Sequence, residues 1–213
     1  VWNSYRINGM RISHDAPVAL ENKERIEILK GLGAVESGFS RPGGVVNYVT
    51  KRPPASPSMA LGLDYDRYHA FRQHLDFGAP VDAAGNVAYR FNVANETLRS
   101  YARGADGERR FGSAAVDWRI AKGVKLELDA EYQERSQITV PGFQLLDGAI
   151  VPVGVDPRNL MNAQPWTKPF FTRTATLQGK LDVELPQGWL ATLQAGSMRR
   201  KADDYVAFPY GFL

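Results

Sequence analysis

From Met59 onward this 213-residue chain is written in steps of two, and that period decides most of what it can become. Met59, Leu61, Leu63 and Tyr65 alternate with Gly62, Asp64 and Asp66. Leu75, Phe77, Ala79 and Val81 alternate with His74, Asp76 and Gly78. The pattern returns at Val87–Val93, Ala114–Ile120, Val124–Gln133, Thr174–Glu184 and Trp189–Ala195. Successive side chains of a strand point to opposite faces, so each run predicts a strand with one apolar and one polar face. A soluble strand averages about 5–6 residues, whereas a tilted strand that crosses a membrane needs about 9–11. Several of these runs reach the longer class. Their polar faces are also heavily charged, as a water-filled lumen permits.

The connections alternate in length. Asp82-Ala83-Ala84-Gly85, Ala121-Lys122-Gly123 and Pro186-Gln187-Gly188 are short turns, while residues 100–109 and 137–171 are long. Short turns on one side and long loops on the other are the layout of an outer-membrane barrel. Trp118 and Trp189 fall near the short-turn end, where aromatic side chains favour the lipid headgroups. A soluble two-sheet protein with one wet face has the same period, but it leaves strand edges that a barrel abolishes by closing.

Composition narrows the choice further. No run approaches the roughly 18 apolar residues of a spanning helix, and the mean hydropathy is negative. The absence of cysteine excludes a disulfide framework and a thiolate metal site. A net charge of +3, from 26 basic and 23 acidic residues without a basic block, does not argue for nucleic acid. The chain opens on Val1 rather than Met and ends just after a strand-like run, so we expect a section of a longer protein.

Residues 1–52 follow another grammar. Asn8-Gly9 between Ser4–Ile7 and Met10–Ser13 predicts a type I′ hairpin, because both residues tolerate positive φ. Pro17–Leu20 predicts one helical turn, with Asp15 as its cap. Arg25–Lys30 and Val45–Thr50 read as strands, separated by a glycine-punctuated segment and the turn Pro42-Gly43-Gly44. About 50 residues bury too little core to stand alone, so this unit needs an enclosing partner. Pro53-Pro54-Ala55-Ser56-Pro57 makes a stiff connector between this unit and the alternating strands.

The run Glu24-Arg25-Ile26-Glu27-Ile28-Leu29-Lys30-Gly31, followed by Pro42-Gly43-Gly44-Val45-Val46-Asn47-Tyr48-Val49-Thr50-Lys51-Arg52-Pro53, resembles the plug of TonB-dependent outer-membrane receptors, in the siderophore branch. Leu75–Pro80 and Asn86–Phe91 are similar to early barrel strands of that family. The resemblance covers nearly the whole chain. It implies a mainly β fold: a partial transmembrane antiparallel β-barrel of about seven strands, preceded by part of a small α/β plug. Residues 1–53 are then the C-terminal part of the plug, and 54–213 the first strands of the wall. It further implies a monomeric barrel in outer-membrane lipid that takes up a ferric siderophore. The TonB–ExbB–ExbD complex would energise it by pulling on a box upstream of Val1. Receptors for heme, cobalamin or carbohydrate share the plug, and a passive porin-like barrel is the alternative from another class. No cofactor, catalytic group or resident metal is expected.

Site residues follow from both readings. The resemblance makes Ser37, Phe39 and Arg41 the candidate ligand residues of the upper plug loop. There Glu36-Ser37-Gly38 departs from the Leu-Tyr-Gly of many siderophore receptors, which leaves the ligand class open. Phe143, Trp166, Phe170 and Phe171 are candidates for an aromatic surface in the long loop. Arg25, Glu27, Lys51 and Arg52 are candidates to pair with charges of the wall. Glu127, Asp129 and Glu131 share one strand face, the one arrangement that suggests hydrolysis or calcium. Interleaved with Lys125 and Arg135, they read instead as a charged lumen wall. His14, His69 and His74 stand in no metal-ligand spacing.

Overall fold

A computed structural model describes residues 4–31, 44–142, 145, 149–150 and 153–205. They form two sheets. The smaller holds β1 (Tyr5–Ile7), β2 (Met10–Arg11), β3 (Lys23–Leu29) and β4 (Val45–Thr50), in the order β2-β1-β4-β3. β1 runs parallel to β4, and the other pairs are antiparallel. Asn8 and Gly9 both take positive φ, 49° and 81°, as the tight β1–β2 turn requires.

The helical turn expected at Pro17–Leu20 does not form, and among the described residues this unit is all β rather than α/β. One turn fixes several dihedrals for a single hydrogen bond, so neighbouring contacts decide its fate. Here the Pro17 carbonyl accepts from Gln133 of the larger sheet at 3.1 Å. Ala19 is buried against Ala94 and Phe111. Asp15 caps nothing helical; it accepts from Ser13 and pairs with Arg200 at 2.8 Å.

The larger sheet is a seven-stranded antiparallel meander in sequence order: β5 (Ser58–Tyr65), β6 (Phe71–Pro80), β7 (Val87–Leu98), β8 (Gly107–Ala121), β9 (Val124–Gln137), β10 (Phe170–Glu184) and β11 (Leu190–Asp203). Among the described residues it does not close, since β5 and β11 each keep one unpaired edge. The last four strands have 14 or 15 residues. At about 3.4 Å per residue they extend roughly 50 Å, well beyond any ordinary soluble strand.

Its two faces invert the usual rule for a soluble protein. Met59, Leu61, Leu63, Leu177 and Leu193 are 60–75% exposed. On the opposite face Asp76, Asn92, Asp129, Gln133, Thr172, Thr174, Thr176 and Gln178 are all buried. Water cannot favour that arrangement, and a hydrocarbon solvent on the apolar side does. The apolar side of β10 runs through Ala175, Leu177, Gly179, Leu181 and Val183. It stops at a cross-strand row of Asn95, Arg110, Glu134, Arg173 and Lys201, toward the long loops. Nine residues is the span of a tilted membrane strand, about 9–11 residues. Trp118 and Trp189 lie toward the short turns, 45% and 70% exposed on the same side.

Candidate functional site

The pairing of β3 with β4 sets Lys23 opposite Thr50. The Lys51 amide then donates to the Asn22 carbonyl at 2.9 Å. The start of one strand and the end of the other thus form a single knuckle that carries Glu21, Asn22, Lys23, Thr50, Lys51 and Arg52. This knuckle sits on the polar face of the larger sheet.

Each of its polar side chains meets the wall. Lys23 Nζ lies 2.7 Å from Glu131 Oε1, which also accepts from Asn22 at 2.8 Å. Arg52 Nη1 reaches both carboxylate oxygens of Asp129 at 2.8 Å, and Arg52 also pairs with Asp117. The Thr50 hydroxyl donates to Asp129 at 3.1 Å. Lys51 lies 2.8 Å from Asp76, which Arg90 grips from the other side at 2.7 Å. Glu21 accepts from Arg109, with Arg72 at 3.5 Å. Arg90 also donates to the Arg52 carbonyl at 3.0 Å. A Cβ at Gly78 would stand 2.7 Å from Pro54 Cδ and 2.5 Å from the Tyr89 carbonyl, so glycine lets the connector lie close on the wall.

Burial makes this interface electrostatically demanding. It depresses the Lys23 ammonium below its ordinary range, and Glu131 recovers only part of that. Burial likewise acts most strongly on Glu21, pushing its carboxyl up, but Arg109, a backbone hydrogen bond and then Arg72 together outweigh it and leave the group below its ordinary 4.5. For Arg52 burial is the largest single influence and lowers the guanidinium, but Asp129 and Asp117 together leave it raised. The Glu21 shift has a direct consequence. A carboxyl whose folded pKa lies below its unfolded value contributes stability that is fully present above the unfolded value and lost as pH falls through the folded one. Amide exchange in β3 is therefore expected to accelerate as pH falls below about 4.5, after correction for intrinsic rates, and to do so less in Glu21→Gln. An acid response equal in the two proteins would remove Glu21 from this role.

The expected site residues divide. Lys51 and Arg52 lie on the wall, against Asp76, Asp117 and Asp129. Arg25 and Glu27 direct their ion pair and hydrogen bonds within the smaller sheet: Arg25 lies 2.9 Å from Glu27, which also accepts from Asn47 at 2.9 Å. The reason is local, since residues two apart on a strand share a face and Asn47 is directly opposite Glu27. Ser37, Phe39, Arg41 and Phe143 lie outside the described residues. Trp166 is exposed at 56%. Phe170 is half-buried at the head of β10, bordering a cleft of about 460 Å³ between residues 14–17 and the upper wall. Phe171 points to the other face, under the Arg173 guanidinium at 5.5 Å, so Phe170 and Phe171 do not share one surface. The carboxylates of β9 are engaged: Asp129 and Glu131 by the knuckle, Glu127 by Lys125 at 2.6 Å.

Glu21, Asn22 and Lys23 were not anticipated. The available signal was a polar triplet that leads into β3, set beside Lys51-Arg52 just after its antiparallel partner β4.

A long antiparallel sheet, apolar on one face and polar on the other, with a small sheet locked to the polar face by ion pairs, is the arrangement of a plug against part of an outer-membrane barrel wall. The comparisons with known proteins agree. The chain is 30% identical over 188 residues to the metal-pseudopaline receptor CntO of Pseudomonas aeruginosa UCBPP-PA14, covering 86% of this chain and 26% of that protein. It is 25% identical over 155 residues to the ferrichrome outer membrane transporter/phage receptor of Escherichia coli K12, covering 71% of this chain and 21% of that protein. Its fold matches the pyoverdine outer membrane receptor FpvA of P. aeruginosa PAO1 with a TM-score of 0.84 at 18% identity, over 96% of this chain and 31% of that one. No protein-family model matches the chain. What the chain resembles is thus the TonB-dependent receptors of the Gram-negative outer membrane, and its relatives are siderophore and metal receptors. It spans about a quarter of the length of the curated relatives it matches.

Proposed function

We propose that this chain supplies the end of the plug and the first wall strands of a receptor for energy-coupled uptake of a ferric siderophore. Residues 1–53 belong to the plug and 54–213 to the wall in this reading. The observation that carries it is the knuckle of residues 21–23 and 50–52, held on the wall by Glu131, Asp129, Asp117, Asp76 and Arg109. A passive pore has no use for a plug fixed this firmly, whereas a gated receptor needs a seal that yields only to work. The TonB–ExbB–ExbD complex supplies that work, by pulling on the plug. The names of the relatives support a metal chelate as cargo: pseudopaline, ferrichrome and pyoverdine are named for those proteins. For this chain the cargo is proposed at the level of a ferric chelate.

The test is uptake of radioactive iron by cells whose only receptor is the full-length protein carrying this chain. Saturable uptake that disappears when TonB is deleted is the expected result. Uptake that persists at the same rate without TonB would reduce the protein to a passive channel.

A further inference from the structure

One cross-strand row lines the polar face just below the long loops: Asp64, Arg72, Glu96, Arg109, Arg135 and Thr172. Its charges nearly alternate, and the exception is Arg109 directly opposite Arg135. Arg109 is neutralised by Glu96 at 2.7 Å and by Glu21. Arg72 is neutralised by Asp64 at 3.0 Å and by Glu21. Arg135 donates to the neutral side chain of Gln137 at 2.7 Å and pairs with no carboxylate among the described residues. The row therefore ends in an exposed guanidinium with no carboxylate partner among the described residues, on a lumen-facing position opposite a like charge.

Two further observations fall at the same place. Thr172, the cross-strand neighbour of Arg135, is 3% exposed, and its hydroxyl has no hydrogen-bond partner. A buried hydroxyl left unpaired is costly, so its persistence needs a reason. Both residues also border the cleft of about 460 Å³ at the upper wall, with His14, Asp15, Pro17 and Phe170. That volume suits a small molecule, for which sites of about 300–1,000 Å³ are usual. Asp15 is the one acid on this border, and Arg200 holds it at 2.8 Å.

We infer that this cleft is a subsite for a free carboxylate of the bound metal chelate, with Arg135 and Thr172 as its donors. A guanidinium offers two parallel N–H groups in one plane, which match the two oxygens of a carboxylate. The Thr172 hydroxyl supplies a third donor, and Phe170 and Pro17 give the body of the chelate an apolar wall. An uncharged chelate leaves Arg135 without a counter-charge, so the cleft selects for carboxylate-bearing ligands. This inference rests on the receptor reading and narrows its substrate class.

The test measures quenching of intrinsic fluorescence in the purified full-length receptor by four ferric probes: citrate, a citrate-based dihydroxamate, uncharged ferrichrome and a tris-catecholate. The carboxylate-bearing probes are expected to bind saturably. Arg135→Ala should weaken them by about 10- to 100-fold, the effect of losing a charged hydrogen-bond donor. Arg135→Lys should recover part of the loss, and Thr172→Val should cost less than Arg135→Ala. Retained heat-modifiable migration on gels confirms that each variant folds. Saturable binding of ferrichrome or the catecholate alone, or carboxylate binding unchanged in Arg135→Ala, overturns the inference and leaves the receptor reading intact. No binding or uptake of any ferric chelate defeats both.

Discussion

Replacing Glu131 by alanine in the full-length protein is expected to unseat the smaller sheet from the larger. Glu131 is the acid that faces Lys23, whose side chain is only 2% exposed. Burial already depresses that ammonium, so its remaining stability depends on this neighbour. Removing one partner of a buried pair costs about 3–5 kcal/mol, because the other charge stays behind in a poor solvent. The loss should appear as roughly a hundredfold or greater fall in amide protection across β3 and β4. Asn22 loses its acceptor in the same variant. Replacing both charges, Lys23→Met with Glu131→Met, should cost much less than Glu131→Ala alone, since no orphan charge remains. Equal losses in the single and double variants would show that packing, not the ion pair, holds the knuckle.

The second large effect belongs to the other face. Leu177→Arg should impair insertion of the wall, whereas Gln178→Arg should leave insertion intact. Leu177 is 60% exposed in the middle of the apolar band. An arginine at the bilayer midplane of such a barrel costs about 2–4 kcal/mol. Gln178, its neighbour, turns inward and donates to the Ile7 carbonyl at 3.3 Å. Its replacement disturbs the plug contact but meets no hydrocarbon. Refolding yields into lipid vesicles separate the two, and equal yields would contradict the assignment of faces.

How much of the fold was legible in the sequence depends on what each residue faces. The alternation of Leu181, Leu177 and Ala175 with Lys180, Gln178 and Thr176 placed β10 and its faces correctly, because lipid enforces that period. The upper ends were harder. β8 begins at Gly107, although apolar alternation is visible only from Ala114. Above the apolar band the outward positions become Arg110, Glu134 and Arg173, so the hydrophobic signal stops while backbone pairing continues. The helical turn at Pro17–Leu20 failed for the opposite reason: its local signal was real but weak, and contacts with Gln133 and Phe111 decided the backbone.

The site was legible only in part. Lys51 and Arg52 stood out through a resemblance in the residues around them. Their partners did not, since Asp76, Asp117 and Asp129 lie 25 to 77 residues away in sequence. Arg25 and Glu27 had the right charges but a closer neighbour in each other. The cation at Arg135 looked like one more wall charge, and its lack of a carboxylate partner among the described residues emerges only when the cross-strand row is assembled.

The central claim is that one sheet faces lipid on one side and a plug on the other. The chain contains no cysteine, so once any cysteine elsewhere in the full-length receptor is replaced by serine, single cysteines along β10, at positions 174 to 181 in turn, can carry a spin label in that receptor in vesicles. Accessibility to oxygen, which partitions into the bilayer, should peak at 175, 177, 179 and 181 and fall at 174, 176, 178 and 180. Loss of the two-residue period, or maxima at 176 and 178, would contradict the account.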